Sequence, residues 1–225
     1  MRQAIHLYRS TIGKKVVMAL SGIVLFGFLL IHMYGNLKAF QGPEAINAYA
    51  EHLRTIGEPL IGRGQLLWLV RIVLLGSLAA HVVAATQLTV LARAARPERY
   101  HLPPRLEQSY ASRTMRWGGV IIFFYAIYHL MHFTWGTAHA SFVPGDVYHN
   151  LVTGFQAWPV AAVYALATVM VGIHLYHGLW SALQTLGANH PRYNRYRRMG
   201  AAVFAGLVTA GFLAVPAAVM AGGLR

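Results

Sequence analysis

Five runs of mostly apolar residues divide the chain, separated by shorter polar and basic segments. A helix that crosses a membrane needs roughly 20 such residues in one stretch. The runs cover about 15–37, 66–91, 116–138, 159–186 and 199–220. The pattern predicts an all-α integral membrane protein with five transmembrane helices, forming a single membrane domain over 1–225. The first run is too long for the apolar part of a signal peptide and lacks a small-residue cleavage site, so it reads as retained. The connection over 38–65 contains INAYAEHLRTIG, which predicts a short surface helix.

Charge gives the predicted bundle an orientation. Arg2, Arg9, Lys14, Lys15, six arginines between Arg93 and Arg116, and Arg192, Arg195, Arg197 and Arg198 all fall on one side of the five runs. Lys38, Arg54, Arg63 and Arg225 fall on the other, and Arg71 lies inside the second run. The positive-inside rule then predicts a cytoplasmic N-terminus and an outside C-terminus. Only Glu98 and Glu107 offset the inner cations, whereas Glu44, Glu51, Glu58 and Asp146 balance the outer ones. The inner face is thus strongly basic, fit for a protein partner or anionic membrane lipid. Its basic segments are short juxtamembrane loops, which argues for no nucleic acid partner. Trp68, Trp135 and Trp158 fall near the predicted outer interface and Trp117 near the inner one, as an aromatic belt does.

Composition narrows the chemistry. Of 225 residues 56% are hydrophobic and 11% charged, against about 25% charged in an ordinary soluble domain. The chain has no cysteine, which excludes disulfides, iron–sulfur ligation and covalent c-type haem. No run contains Asp or Glu, so a carboxylate-bridged metal pair or an acidic proton relay has no ligands there.

Histidine is the informative residue. Six of the twelve lie within runs: His32, His81, His129, His132, His174 and His177. One buried histidine is readily explained as an interhelical hydrogen bond. Four successive helices with one or two each ask for more. Zinc sites cluster three or four ligands or add thiolate. Bis-imidazole haem b fits the pattern better: each iron takes one nitrogen from each of two helices, so four helices hold two haems. At 1.5 Å per residue, His32 lies about 26 Å from the inner face and His81 about 17 Å. His32 therefore belongs to an outer haem and His81 to an inner one. His129/His132 and His174/His177 are each spaced i, i+3 on one helix face, so spacing leaves both choices open. Depth alone favours His132 outside and His177 inside.

Two segments carry a family resemblance. TIGKKVVMALSGIVLFGFLLIHMYGNL resembles the first helix of the two-haem cytochrome b membrane-anchor subunit of succinate dehydrogenase or fumarate reductase, and GIHLYHGLWSALQTLG resembles its fourth-span H-x-x-x-G-L-W segment. The resemblance implies that the first four helices form a haem-binding bundle with one axial ligand each. On the GKK…H…GN match the first is His32, and the second span offers only His81. The family's third ligand follows a helix-start glycine by ten residues, so Gly119 gives His129 rather than His132. Its fourth precedes the G of G-L-W by four, so Gly178 gives His174 rather than His177. The family's pairing implies His32 with His129 for the outer haem and His81 with His174 for the inner one.

The same resemblance implies a respiratory complex II of the tricarboxylic acid cycle, multi-pass in the cell's inner (cytoplasmic) membrane. A flavoprotein subunit and an iron–sulfur subunit would dock on the cytoplasmic face. This chain would pass electrons through two b haems to a quinone, menaquinone in the two-haem type, with no succinate site of its own. Where some relatives carry an acid two residues before the fourth ligand, this chain has Gly172. Quinone candidates are Arg9, Ser10, Lys14 and Trp180 inside and Glu58 and Arg63 outside; Lys38 and Arg116 are candidates for haem propionates. Interfacial or snorkelling roles are the simpler account of each of these residues. The rival readings are the cytochrome b subunit of another respiratory complex, such as a hydrogenase or formate dehydrogenase, and a His-lined metal or proton transporter.

Overall fold

The computed structural model describes residues 10–95 and 110–225. Among them there are helices and no strand. Helix α1 spans Thr11–Leu37 and runs into a 3-10 turn, Lys38–Gln41. There follow α2 (Pro43–Thr55), α3 (Gln65–Ala94), α4 (Tyr110–Phe133), α5 (Val147–Gln156), α6 (Trp158–Thr185) and α7 (Pro191–Met220). Four are long and apolar enough to cross a membrane: α1 with its 3-10 extension, α3, α6 and α7. With 24 residues α4 has the length for a crossing, but Arg116, His129 and His132 dilute its apolar run.

The ends are set by local hydrogen bonding, which moves two of the expected boundaries. Ser10 caps α1, its Oγ accepting from Gly13 N at 2.9 Å. The third apolar run extends to residue 138, yet α4 stops at Phe133. There Leu130 O accepts from both Thr134 N and Trp135 N, and Gly136 turns the chain with φ 73°. The fifth run starts at residue 199, yet α7 starts at Pro191. Proline at the first helical position and His190 Nδ1, accepting from Arg192 N, make the basic PRYNRYRR stretch helical. Hydropathy marks the lipid-compatible part of a helix, whereas caps mark its true ends.

The long helices do not all touch. The first helix packs along α3, α6 and α7, and α6 packs along α4 and α7. Leu175, Ala205 and Val208 fill the α6–α7 seam, with Phe26, Leu29, Leu30 and Met33 of α1 against it. By contrast α1 and α4 share no extended backbone contact among the described residues, and neither do α3 and α6. Leu69, Ile72, Leu75, Val82 and Val83 on α3 are exposed, the surface a lipid-facing helix presents.

One end of the bundle is capped by α2 and α5. Ile46 of α2 and Leu151, Val152 and Phe155 of α5 are buried against Ala161 and Tyr164 of α6 and Val215 and Val219 of α7. Asn47 bolts the two short helices together. Its Nδ2 donates to Asp146 Oδ1 at 3.0 Å, and its Oδ1 accepts from Val147 N and Tyr148 N. Asp146 in turn caps α5, accepting from His149 N at 3.0 Å. Those bonds, the His149 amide first and Asn47 second, hold the Asp146 carboxyl below its ordinary range.

Candidate functional site

The four long helices α1, α3, α4 and α6 carry their histidines into two facing pairs. Near the capped end His32 of α1 meets His129 of α4, ring centroids 5.6 Å apart and nearly perpendicular. Further along, His81 of α3 meets His174 of α6 at 6.2 Å. No hydrogen bond joins the members of either pair among the described residues. Each pair bridges two helices that do not otherwise pack along each other. The rings thus meet across gaps between helices.

What surrounds each ring decides which nitrogen is free. His81 Nδ1 lies 3.0 Å from Met18 O. A carbonyl only accepts, so Nδ1 carries the proton and donates, which leaves the Nε2 lone pair available. Ser21 Oγ donates to Val17 O at 2.7 Å and sits 3.4 Å from the same Nδ1. Glycines lie against these rings: a Cβ on Gly22 would stand 3.4 Å from His81 Cε1, and one on Gly119 3.8 Å from His174 Cε1, both at van der Waals contact. His174 Nδ1 is buried without a hydrogen-bond partner. Thr114, Gly118, Met170 and His174, among others, line a narrow crevice between α4 and α6 beside it.

At the other pair His32 stacks on Phe28 at 5.2 Å and lies against Phe212 of α7. His129 packs on Tyr125 and Phe133, and its Nδ1 lies 3.3 Å from the Tyr164 hydroxyl. That hydroxyl also lies 3.0 Å from His132 Nδ1. Tyr164 can accept from one ring and donate to the other, so it links the two histidines of α4.

The two members of each i, i+3 pair have different surroundings. His129 faces His32, whereas His132 is 2% exposed and turned away. It stacks between Tyr128 at 5.5 Å and His139 at 4.7 Å. His139 accepts from Ser141 N at Nδ1, so its Nε2 donates to Asn150 O at 2.8 Å. A Cβ on Gly154 would stand 3.0 Å from both His132 Cε1 and His139 Nε2, so only glycine lets α5 close this cage. On α6, His174 faces His81, whereas His177 packs edge-on against Trp180 at 5.4 Å. His177 Nδ1 is buried without a partner.

The remaining candidates scatter. Arg9 lies outside the described residues. Ser10 is committed to the α1 cap, and Lys14 is buried one turn further on. Trp180 carries the guanidinium groups of Arg197 and Arg198 over its ring, at 5.8 and 5.0 Å. Arg63 pairs with Glu51, not with Glu58, which is exposed. Lys38 sits over the Tyr34 ring and donates to Gln41, and Arg116 is exposed. Tyr164, His139 and Asn150 join this site from outside the sequence candidates. Tyr164 stands ten residues before His174 within the fourth run, and a phenol in an apolar span is the signal that marked it.

The donor set suits a bis-imidazole macrocycle. Two opposed pairs of imidazoles sit in apolar surroundings, and one of them has its second nitrogen already bound to a backbone carbonyl, as metal-ligating histidines usually do. Among the described residues no three His, Asp or Glu side chains converge on one point.

A family model described as the succinate dehydrogenase/fumarate reductase transmembrane subunit matches residues 90–214, more than half of the chain. The matched stretch includes His129 and His174, while His32 and His81 precede it. No curated protein and no solved structure matches the chain.

Proposed function

This chain belongs to the family of succinate dehydrogenase/fumarate reductase transmembrane subunits, and we propose that as such a membrane anchor it binds two b haems and hands electrons to a quinone. The observation that carries this reading is the pair of facing imidazole couples, one on α1 and α4 and one on α3 and α6. His32 and His129 hold one haem, and His81 and His174 hold the other. Each haem, when bound, supplies a one-electron carrier. The residues of this chain do the rest. Met18 O and Ser21 orient the His81 ring, Tyr164 orients that of His129, and Phe28, Phe212 and Tyr125 keep water from the outer pair.

In this reading α4 also crosses the membrane, making five spans in one domain with the N-terminus in the cytoplasm. The capped end then faces outward. The basic end receives an iron–sulfur subunit, itself paired with a flavoprotein that oxidises succinate or reduces fumarate. A quinone, menaquinone in this reading, is held at the basic end, where Lys14 stands one turn before Met18 on α1 and Trp180 six residues past His174 on α6.

A pyridine haemochrome assay with protein quantified alongside tests the proposal. Two haem b per chain, both reduced by succinate in the intact complex, is the expected result. One haem per chain would make one couple structural. No haem would overturn the reading in favour of a His-lined transporter.

A further inference from the structure

Beside α3 at the capped end lies an open cavity of about 320 Å³, lined by Arg54, Arg63, Gly64, Leu67, Trp68 and Arg71. Three arginines line one space. Glu51 is the carboxylate that answers them, pairing with Arg54 at 3.4 Å and closely with Arg63. Arg71 has no ion-pair partner among the described residues; its guanidinium lies over the Trp68 ring at 4.8 Å. The cavity therefore keeps an excess of positive charge.

The setting makes that excess informative. Arg71 stands six residues past the start of α3, about 9 Å along the helix axis. Its neighbours Leu69, Val70, Ile72 and Val73 are exposed apolar side chains, as on a helix side turned to lipid. Trp68, 61% exposed, sits where an aromatic belt marks the headgroup layer. A cation at this depth is costly unless an anion meets it. A neutral quinone carbonyl needs one or two donors and offers no charge to three guanidiniums. A phosphodiester offers a full negative charge and several acceptor oxygens, the geometry arginine forks bind best.

We infer that this cavity is a binding site for the phosphate headgroup of an anionic membrane lipid, clamped by Arg54, Arg63 and Arg71 with its glycerol backbone against Trp68. The site is separate from the histidine couples and does not depend on haem.

The test is native mass spectrometry of the intact complex, reconstituted in bilayer discs of phosphatidylcholine with a minority of phosphatidylglycerol. The wild type is expected to carry phosphatidylglycerol well above its share of the bilayer. Arg54→Gln and Arg71→Gln are each expected to cut that retention about fivefold, the electrostatic worth of one cation at a membrane surface. Arg71→Lys, which keeps the charge, is expected to lose less. Equal retention in wild type and both variants would overturn the site, as would a wild type with no preference over phosphatidylcholine. If inorganic phosphate at matched ionic strength strips the lipid from the wild type, the anion site belongs to free phosphate and the lipid assignment falls.

Discussion

Replacing Tyr164 by phenylalanine deletes one hydroxyl from a residue that is 5% exposed. The ring stays, so its packing against Phe155, Phe133 and Tyr125 stays with it. What goes is the link at 3.0 Å to His132 Nδ1 and at 3.3 Å to His129 Nδ1. Each ordinary hydrogen bond contributes about 1 kcal/mol net, and a buried nitrogen left without a partner costs about 1–3 kcal/mol. The 3.3 Å contact is long, so we expect about 2 kcal/mol in all. Loss of an outer-shell partner typically weakens metal binding about 10–100-fold, which is the same range on a free-energy scale. The expected phenotype is therefore a complex that assembles, keeps the haem of the His81–His174 couple and releases the other about 30-fold more readily to a haem acceptor. Haem retention per chain against time, with the low-spin electron paramagnetic signal of each haem followed separately, is the assay. Equal loss from both sites, or a variant matching wild type in retention and spectrum, would refute the reasoning that Tyr164 positions His129.

The other predictions concern ligation and the cap. His81→Ala is expected to remove one haem and leave one, while His177→Ala leaves both; a purified His81→Ala complex with full haem content would sink the ligand assignment. Gly154→Ala forces a methyl to within about 3.0 Å of two imidazoles and is expected to destabilise the capped end by about 1–3 kcal/mol, read as faster amide exchange in α5. Asp146→Ala removes the α5 cap at a cost of about 1 kcal/mol, seen as earlier proteolysis between α4 and α6. Because the native bonds favour the ionised Asp146, its contribution is present above the ordinary carboxylate range and fades as pH falls through its lowered value. Amide-exchange protection of α5 should drop on acidification in wild type and change less in Asp146→Asn.

Much of this protein is legible from one dimension. A membrane crossing demands a long uninterrupted apolar run, and nothing else in a protein of this composition makes one. That constraint places α1, α3, α6 and α7 within a few residues, apart from the basic first turns of α7, which hydropathy does not register as helix. The short helix over 38–65 is legible for a different reason: its proline start and amphipathic stripe are local. Helix α5 is not, because its ten residues become helical through Asp146 and through Asn47, a residue 99 positions earlier in the chain. The histidines divide the same way. That α1, α3, α4 and α6 each carry an imidazole within an apolar run follows from position alone. Which of two imidazoles three residues apart faces a partner does not, since both project from one side of a helix. Beyond the family resemblance, packing is what sets them apart: α4 against α6 turns His132 into the cage of Tyr128, His139 and Tyr164 and leaves His129 toward His32. The arginine cavity is likewise a product of the fold, because Arg54 and Arg71 are joined across a loop and two helices that no periodicity relates.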